Sequence, residues 1–461
     1  MKLPEHLSFL PRLLRLALPI AAQSLMMTVL NLVDTVMVGR LGEVEIAAIA
    51  LGNQIFFLLM LFLLGVGSGG AVFAAQYWGQ GDVAGVRKAL AVSLRVALGG
   101  ALLFSAGAIG APRLLLSAFT EDARVIAVGV PYLRIVGSSY LFTAASATFA
   151  HSLRSIGDTK LPMYASILSI SVNIVGNYVL IFGAFGLPAL GVTGAAVSTA
   201  LARALELGLI LTVVYRRKGP IAARPAELLQ RDRVFARRYL ARSAPVIFNE
   251  VLWSTGFVMY ALVFGRMGTA YLAAYNIADT VGRLMLVFFI GTGQASAVLI
   301  GNTIGRGEQV EAERMGRTLL RLVPLVSAAV GVLVFFLIAP LVPGLFAIPE
   351  ATRALVQRFL RLFAVLIVAK AGNIHVIVGI LRGGGDTRYA LAIDIAPLWL
   401  IGVPLAVVTG LVLGLPAPLV YGCLMLEEAT RFLLGWARVH SGRWVTDVTR
   451  EELAIINPPN G

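Results

Sequence analysis

Leu153-Arg154-Ser155-Ile156-Gly157-Asp158-Thr159-Lys160 returns later in the chain as Leu381-Arg382-Gly383-Gly384-Gly385-Asp386-Thr387-Arg388. The copies are 228 residues apart (386 − 158 = 228). Each sits between long apolar runs and reads as a helix exit. Glycine permits the left-handed turn that ends a helix. Asp158 or Asp386 can then cap the next helix through its free backbone N–H groups. Gly186-Leu187-Pro188 matches Gly414-Leu415-Pro416 at the same spacing (414 − 186 = 228). Upstream the offset is 226 (265 − 39 = 226): Val38-Gly39-Arg40-Leu41-Gly42 recurs as Phe264-Gly265-Arg266-Met267-Gly268. Gly79-Gln80-Gly81-Asp82 recurs as Gly305-Arg306-Gly307-Glu308, Pro19 pairs with Pro245, and Gly65 and Gly67 pair with Gly291 and Gly293. Apolar helices resemble one another by chance, but matched loop motifs in one order do not. The chain is a duplicated unit.

Each copy holds six apolar runs, and a helix needs about 20 apolar residues to cross a bilayer. Spans are expected near 13–36, 46–76, 90–111, 125–150, 161–183 and 191–215 (helices 1 to 6). The second set lies near 240–263, 272–302, 318–341, 355–380, 389–412 and 416–438 (helices 7 to 12). The expected fold is all-α and integral to a membrane, with twelve transmembrane helices in two six-helix lobes. Six is even, so both copies enter from the same side. They are then related by a pseudo-two-fold along the membrane normal, the parallel-repeat plan of many secondary transporters. The expected domains are an N-lobe at 1–215, a basic cytoplasmic linker at 216–239 (partly helical), a C-lobe at 240–440 and a cytoplasmic tail at 441–461.

Composition agrees. Of 461 residues, 58% are hydrophobic and 13% charged, where a soluble domain carries about a quarter charged. Mean hydropathy is +0.85. The first apolar run has no small-residue cleavage site and outlasts a signal peptide, so it reads as a retained helix. The net charge of +14 does not point to nucleic acid. Arg216, Arg217, Lys218, Arg224, Arg231, Arg233, Arg237, Arg238 and Arg242 crowd one segment without the aromatic interleaving that nucleic acid would need. Such a segment fits a cytoplasmic loop. Arg87, Lys88, Arg154, Lys160, Arg306, Arg314, Arg317, Arg382 and Arg388 also follow even-numbered helices, against Arg40, Arg113 and Arg353 on the other side. Both termini are expected in the cytoplasm of a multi-pass inner-membrane protein. A single cysteine, Cys423, allows no intramolecular disulfide. The four histidines show no HExxH spacing, and no Walker loop marks ATP as the energy source. The glycines near Gly65 read as helix packing. No enzyme, cofactor or metal is indicated; lipids and small molecules are the expected partners, and a monomer the expected state.

Ionisable residues within apolar spans each cost about 2.5–3.5 kcal/mol at the bilayer centre, so each needs a reason. Helix 1 carries Asp34, helix 7 Glu250, helix 8 Asp279 and Arg283, helix 10 Lys370 and helix 11 Asp394. Asp279 and Arg283 are four apart and read as a local salt bridge or a gate pair. Glu250 is expected to pair with Lys370, which is compatible with a switchable gate. Asp34 has no cation within a helical turn. Asn173 and Asn177 lie one turn apart on helix 5; their carbonyls can ligate Na⁺, or their amides can hydrogen-bond Asp34. Pro19 and Pro245 each remove a helical hydrogen bond and are expected to kink helices 1 and 7. Arg154 and Arg382 are expected to snorkel toward headgroups.

These residues resemble the multidrug and toxic compound extrusion (MATE) family over nearly the whole chain. The resemblance rests on Asn31-Leu32-Val33-Asp34-Thr35-Val36-Met37-Val38-Gly39, Asn173-Ile174-Val175-Gly176-Asn177-Tyr178, Pro245-Val246-Ile247-Phe248-Asn249-Glu250 and Leu381-Arg382-Gly383-Gly384-Gly385-Asp386-Thr387. Asn177 places it on the NorM-like side, since DinF-like members usually have aspartate there. The resemblance implies an antiporter that expels organic cations against inward H⁺ or Na⁺. It also implies that Asp34 and Glu250 match the coupling carboxylates of the two lobes. One departure stands out. Sodium-coupled NorM-type proteins carry an aspartate in helix 10 where this chain reads Ala369-Lys370-Ala371-Gly372-Asn373. A lysine disfavours a bound Na⁺, tilts the expectation toward H⁺, and leaves Asp394 to supply the missing carboxylate. The alternative is a flippase for lipid-linked oligosaccharides of the same superfamily, for which Lys370, Arg283 and Arg95 would begin a cationic cavity.

Overall fold

Helices answer every apolar run, and among the described residues the one strand-like pairing is a bridge between Gly385 and Val445. The structure, a computed structural model, describes residues 7–230 and 232–449, without the side chains of Asn31, Leu32 and Thr35. Arg231 of the basic segment and the tail beyond Thr449 thus lie outside the described residues. We number the long helices α1 (Leu10–Val38), α2 (Glu43–Gly79), α3 (Val83–Gly110), α4 (Ala123–Ser138 with Tyr140–Ser155), α5 (Lys160–Phe182) and α6 (Val192–Arg217). The second copy supplies α7 (Arg233–Met267), α8 (Thr269–Gly305), α9 (Gln309–Leu345), α10 (Glu350–Arg382), α11 (Thr387–Val412) and α12 (Ala417–His440). Among the described residues ten are long and apolar enough to cross a membrane, or eleven with the bent α4 as one span. The remaining helix, α12, also has a crossing's length but carries Glu427, Glu428 and Arg431 in its middle, all buried.

The repeat is written into the backbone. Gly81 and Gly307 end α2 and α8 at φ +77° and +82°, and Gly157 and Gly385 end α4 and α10 at φ +89° and +88°. The amides of Asp158 and Asp386 return to Leu153 and Leu381, both at 2.9 Å. Both bonds are the 6→1 closure of a glycine-ended helix. Asp158 also caps α5 through the Leu161 amide at 3.1 Å. Asp386 makes no such cap and pairs with Arg438 at 2.8 Å instead.

Helix α4 is not the single straight span expected over 125–150: its halves bend by 42° at Ser139. The cause is local. The hydroxyls of Ser138 and Ser139 donate back to the carbonyls of Ile135 and Val136, both at 2.7 Å. Serine back-bonding next to a glycine (Gly137) competes with the helical ladder and bends it. Helices α1 and α7 run unbroken through Pro19 and Pro245.

By packing, the chain forms two units, Ala22–Ile247 and Met1–Ala21 with Phe248–Gly461. We call them the first and second unit. Their boundaries fall two residues beyond the matched prolines (21 − 19 = 2; 247 − 245 = 2). In the first unit the opening turns of α7 lie on α2. Phe235 meets Phe73 edge-on and Tyr239 stacks on it, with ring centroids 5.4 and 5.9 Å apart, and the Tyr239 hydroxyl donates to the Val66 carbonyl at 2.7 Å. Gly65 and Gly69 allow this approach, since a Cβ on either would meet Ile247 or Ser243. The basic segment docks here as well: Arg87 donates to the Pro220 carbonyl and pairs with Glu227, both at 3.0 Å.

In the second unit the opening turns of α1 pack on α8, where a Cβ on Gly291 would come within 2.9 Å of the Ala17 carbonyl. The segment after α12 is strapped into the α10–α11 turn. Trp444 is fully buried, its Nε1 donates to Val439 at 3.1 Å, and the Thr446 amide donates to Gly384 at 2.8 Å. A Cβ on Gly384 would collide with the Trp444 ring. The first copy holds Ile156 at the matching place (384 − 156 = 228).

Candidate functional site

Asparagines four apart on a helix share a face, and α5 turns Asn173 and Asn177 together toward α1 and α6. The Asn177 Nδ2 donates to Asp34 Oδ1 at 2.8 Å and to Asn173 Oδ1 at 3.2 Å. Asn173 Nδ2 donates to the Thr199 hydroxyl at 3.1 Å. Both asparagines are buried, while Asp34 stays half-buried. The Asn177 Oδ1 is buried and has no hydrogen-bond partner. Among the described residues the first unit therefore presents a carboxylate held by one amide, with a free carbonyl oxygen beside it and no cation in contact. Thr199 was not singled out from sequence.

A second polar chain crosses the same unit. Arg154 donates to Gln23 at 2.6 Å, Gln23 to Ser166 at 2.6 Å, and Ser166 to Glu206 at 3.0 Å; Arg203 closes it on Glu206 at 3.0 Å. Arg154 is thus turned inward and does not snorkel.

In the second unit Glu250 pairs with Arg382 at 2.8 Å, with side chains 11% and 6% exposed. The expected partner Lys370 pairs with Glu428 at 2.7 Å, assisted by Asn373 Nδ2 at 2.8 Å. This corrects two expectations: Glu250 does not pair with Lys370, and Arg382 is not a snorkelling residue. The physical reason is the same for both. A buried carboxylate takes the guanidinium that its neighbouring helix end delivers, and Arg382 ends α10 inside the protein. Asp394 accepts from Asn249 Nδ2 at 2.7 Å and pairs with Arg431 at 3.2 Å. Arg431 also pairs with Glu427, which accepts from the Tyr260 hydroxyl. Asp279 and Arg283 form the expected local pair at 2.7 Å, and Arg283 is largely exposed.

Sequence reasoning missed Arg203 and Glu206 on α6, and Glu427, Glu428 and Arg431 on α12. One signal was available: Arg203 and Arg431 stand at the repeat offset (431 − 203 = 228), as do Val192 and Val420, and Gly194 and Gly422.

Comparison with known proteins gives one direction. The MatE family model matches residues 19–179 and 245–408, one stretch in each copy. "Probable multidrug resistance protein NorM" of Bradyrhizobium diazoefficiens is 30% identical over 88% of this chain and 87% of its own length. "Uncharacterized transporter YisQ" of Bacillus subtilis is 26% identical over 89% and 90%. Among solved structures, MATE in the bent conformation superposes with TM-score 0.85 at 20% identity, covering 96% of this chain and 99% of that one. An outward-facing multidrug resistance MATE family transporter of the MOP superfamily gives 0.83 at 20%, covering 96% and 100%. These likenesses establish the shared all-helical fold.

Proposed function

We propose a mechanism on one premise: the chain belongs to the MatE family. It is a secondary active antiporter of the inner membrane, with both termini cytoplasmic, that works as a monomer by alternating access without a cofactor. It exports small organic cations in exchange for H⁺.

The observation that carries this reading is Asp34, a half-buried carboxylate that, among the described residues of the first unit, contacts one amide and no cation. Such a carboxylate holds either a cationic drug or the coupling ion. When H⁺ binds from outside, the charge that held the drug disappears and the drug leaves. Asn177 can follow the change. Its amide donates to the ionised acid, and turning it over presents Oδ1 as acceptor to the protonated one. Na⁺ would use the same oxygens of Asp34, Asn173 and Asn177. We favour H⁺ because the ammonium of Lys370, paired with Glu428, stands where a sodium-binding acid is expected. Glu250 and Asp394 are then coupling residues of the second unit, and Asp279–Arg283 a gate pair.

The flippase alternative needs unpaired cations for a pyrophosphate. Lys370 and Arg283 are matched to Glu428 and Asp279, and Arg95 donates to the Gln230 carbonyl at 2.6 Å. The test is ethidium transport in proteoliposomes under an imposed pH gradient or an imposed sodium gradient. Wild type should follow the pH gradient, and Asp34→Asn should not. Equal transport by Asp34→Asn overturns the scheme.

A further inference from the structure

The buried cluster of the second unit is not balanced in charge. Its carboxylates are Glu250 and Glu427, Glu428 and Asp394; its cations are Lys370, Arg382 and Arg431. The sum with every group ionised is one net negative charge (3 − 4 = −1). Glu250 has Arg382 to itself, and Glu428 has Lys370. The surplus is therefore local: Asp394 on α11 and Glu427 on α12 share the single guanidinium of Arg431. A buried charge without a counter-charge is disfavoured strongly enough that such a group neutralises.

A second observation supplies a partner that can follow a change of charge in this group. Asn249 is buried, its Nδ2 donates to Asp394, and its Oδ1 is buried with no partner. Asn177 stands to Asp34 in the same way. In both places the amide that now donates can turn over and accept from a protonated acid.

The repeat provides the contrast. Gln23, Ser166 and Arg203 are the counterparts of Asn249, Asp394 and Arg431 (249 − 23 = 226; 394 − 166 = 228; 431 − 203 = 228). In the first unit the station of Asp394 holds a neutral serine, and Arg203 balances Glu206 one to one. Counted with Arg154, the counterpart of Arg382 (382 − 154 = 228), the same polar skeleton holds one cation in excess in the first copy (2 − 1 = +1) and one acid in excess in the second. Among the described residues the charged and titratable groups of this cluster beside Asp394 are Glu250 and Tyr260 from α7, Lys370 and Arg382 from α10, and Glu427, Glu428 and Arg431 from α12. None of the cations is left over for the surplus acid.

We propose that Asp394, Arg431 and Glu427 form a second ion site, specific for a proton, that loads and releases one H⁺ in each transport cycle in addition to Asp34. Loading takes one proton from the outer solution onto the Asp394/Glu427 pair, bringing the cluster from −1 to 0; release returns that proton to the inside. The inference rests on the antiport reading above. Two protons inward for one monovalent cation outward move one net positive charge per cycle. Asp394→Asn and Glu427→Gln each leave Arg431 with one acid, so both variants are balanced and remove the exchangeable proton. Their exchange is then electroneutral.

The test uses full-length protein in proteoliposomes with ethidium as probe, at a fixed pH gradient, while a potassium–valinomycin potential is varied. Wild type should speed up as the side receiving protons is made negative. Asp394→Asn and Glu427→Gln should transport at a rate that the potential does not change. Wild-type potential dependence in both variants, or none in wild type, overturns the proposal. Infrared difference spectra of the purified protein across a pH step provide a second readout. One protonated-carboxyl band should vanish in either variant and persist in Asp34→Asn; its persistence in both variants overturns the proposal. If instead Asp34→Asn transports like wild type while that band behaves as stated, the antiport reading fails and the proton site stands.

Discussion

Glu250→Gln, Arg382→Met and their double variant measure the buried pair that replaced the expected one. The N···O distance is 2.8 Å with side chains 11% and 6% exposed. At an effective dielectric of about 20, the attraction is roughly 6 kcal/mol before desolvation. Removing one partner strands the other charge away from water and should cost about 3–5 kcal/mol of unfolding free energy. Removing both leaves no stranded charge and should cost about 0–1 kcal/mol, so the double variant should be more stable than either single one. The coupling in a double-mutant cycle should then reach at least about 3 kcal/mol. The control is Lys370→Met. Combined with Glu250→Gln it should add within about 0.5 kcal/mol, as independent sites do; combined with Glu428→Gln it should couple as strongly as the first pair. The assay is reversible unfolding of the purified protein in mixed micelles. If Glu250 couples to Lys370 and not to Arg382, the pairing drawn here is wrong, and the charge count built on it fails.

Three further outcomes are expected. Asn177→Leu deprives Asp34 of its amide donor, and a hydrogen bond to a charged group is worth about 1.5–3 kcal/mol, so pH-driven ethidium transport should fall about 10- to 150-fold; wild-type rates would remove Asn177 from the site. Trp444→Ala should cost about 3–5 kcal/mol, since the ring is fully buried, and Gly384→Ile, the residue of the other copy, should cost as much by evicting the ring; unchanged melting of either would show that the strap is idle. The backbone N–H of Arg224 holds the Glu227 carboxyl below the usual glutamate range, against a small opposing effect of burial and with help from Arg87. A depressed folded value stabilises the docked segment above about pH 4.3, the unfolded value, and that stabilisation is lost as pH falls through the folded value. Hydrogen-exchange protection of residues 219–230 should therefore drop in acid, and Glu227→Gln should lower it already at neutral pH.

The parts of the fold legible in the sequence are those that backbone chemistry dictates. Gly157 and Gly385 announce their turns because an L side chain is strained at φ near +90°. Asn173 and Asn177 announce a shared face because helical spacing sets it. The bend of α4 did not show, since Ser138 and Ser139 are equally at home in a straight helix that leaves their hydroxyls free. The partner of Glu250 did not show because pairing between helices depends on depth and rotation, which apolar spans leave open. Arg382 sat in a motif that already had a local explanation as a helix exit. Glu427, Glu428 and Arg431 were absorbed into an apolar average, although their mutual spacing and the match of Arg431 to Arg203 could have exposed them.

The packing of Leu10–Ala21 on α8 has a consequence for how the protein is made. These residues are synthesised well before the residue that receives them: Gly291 follows Ala21 by 270 positions (291 − 21 = 270). At roughly 5–20 residues per second, the opening turns of the first helix wait about 14–54 s for their seat. Through that interval an apolar half-helix has to be sheltered by lipid or by the insertion machinery. The second unit is therefore the later of the two to mature, though it holds the opening turns of α1.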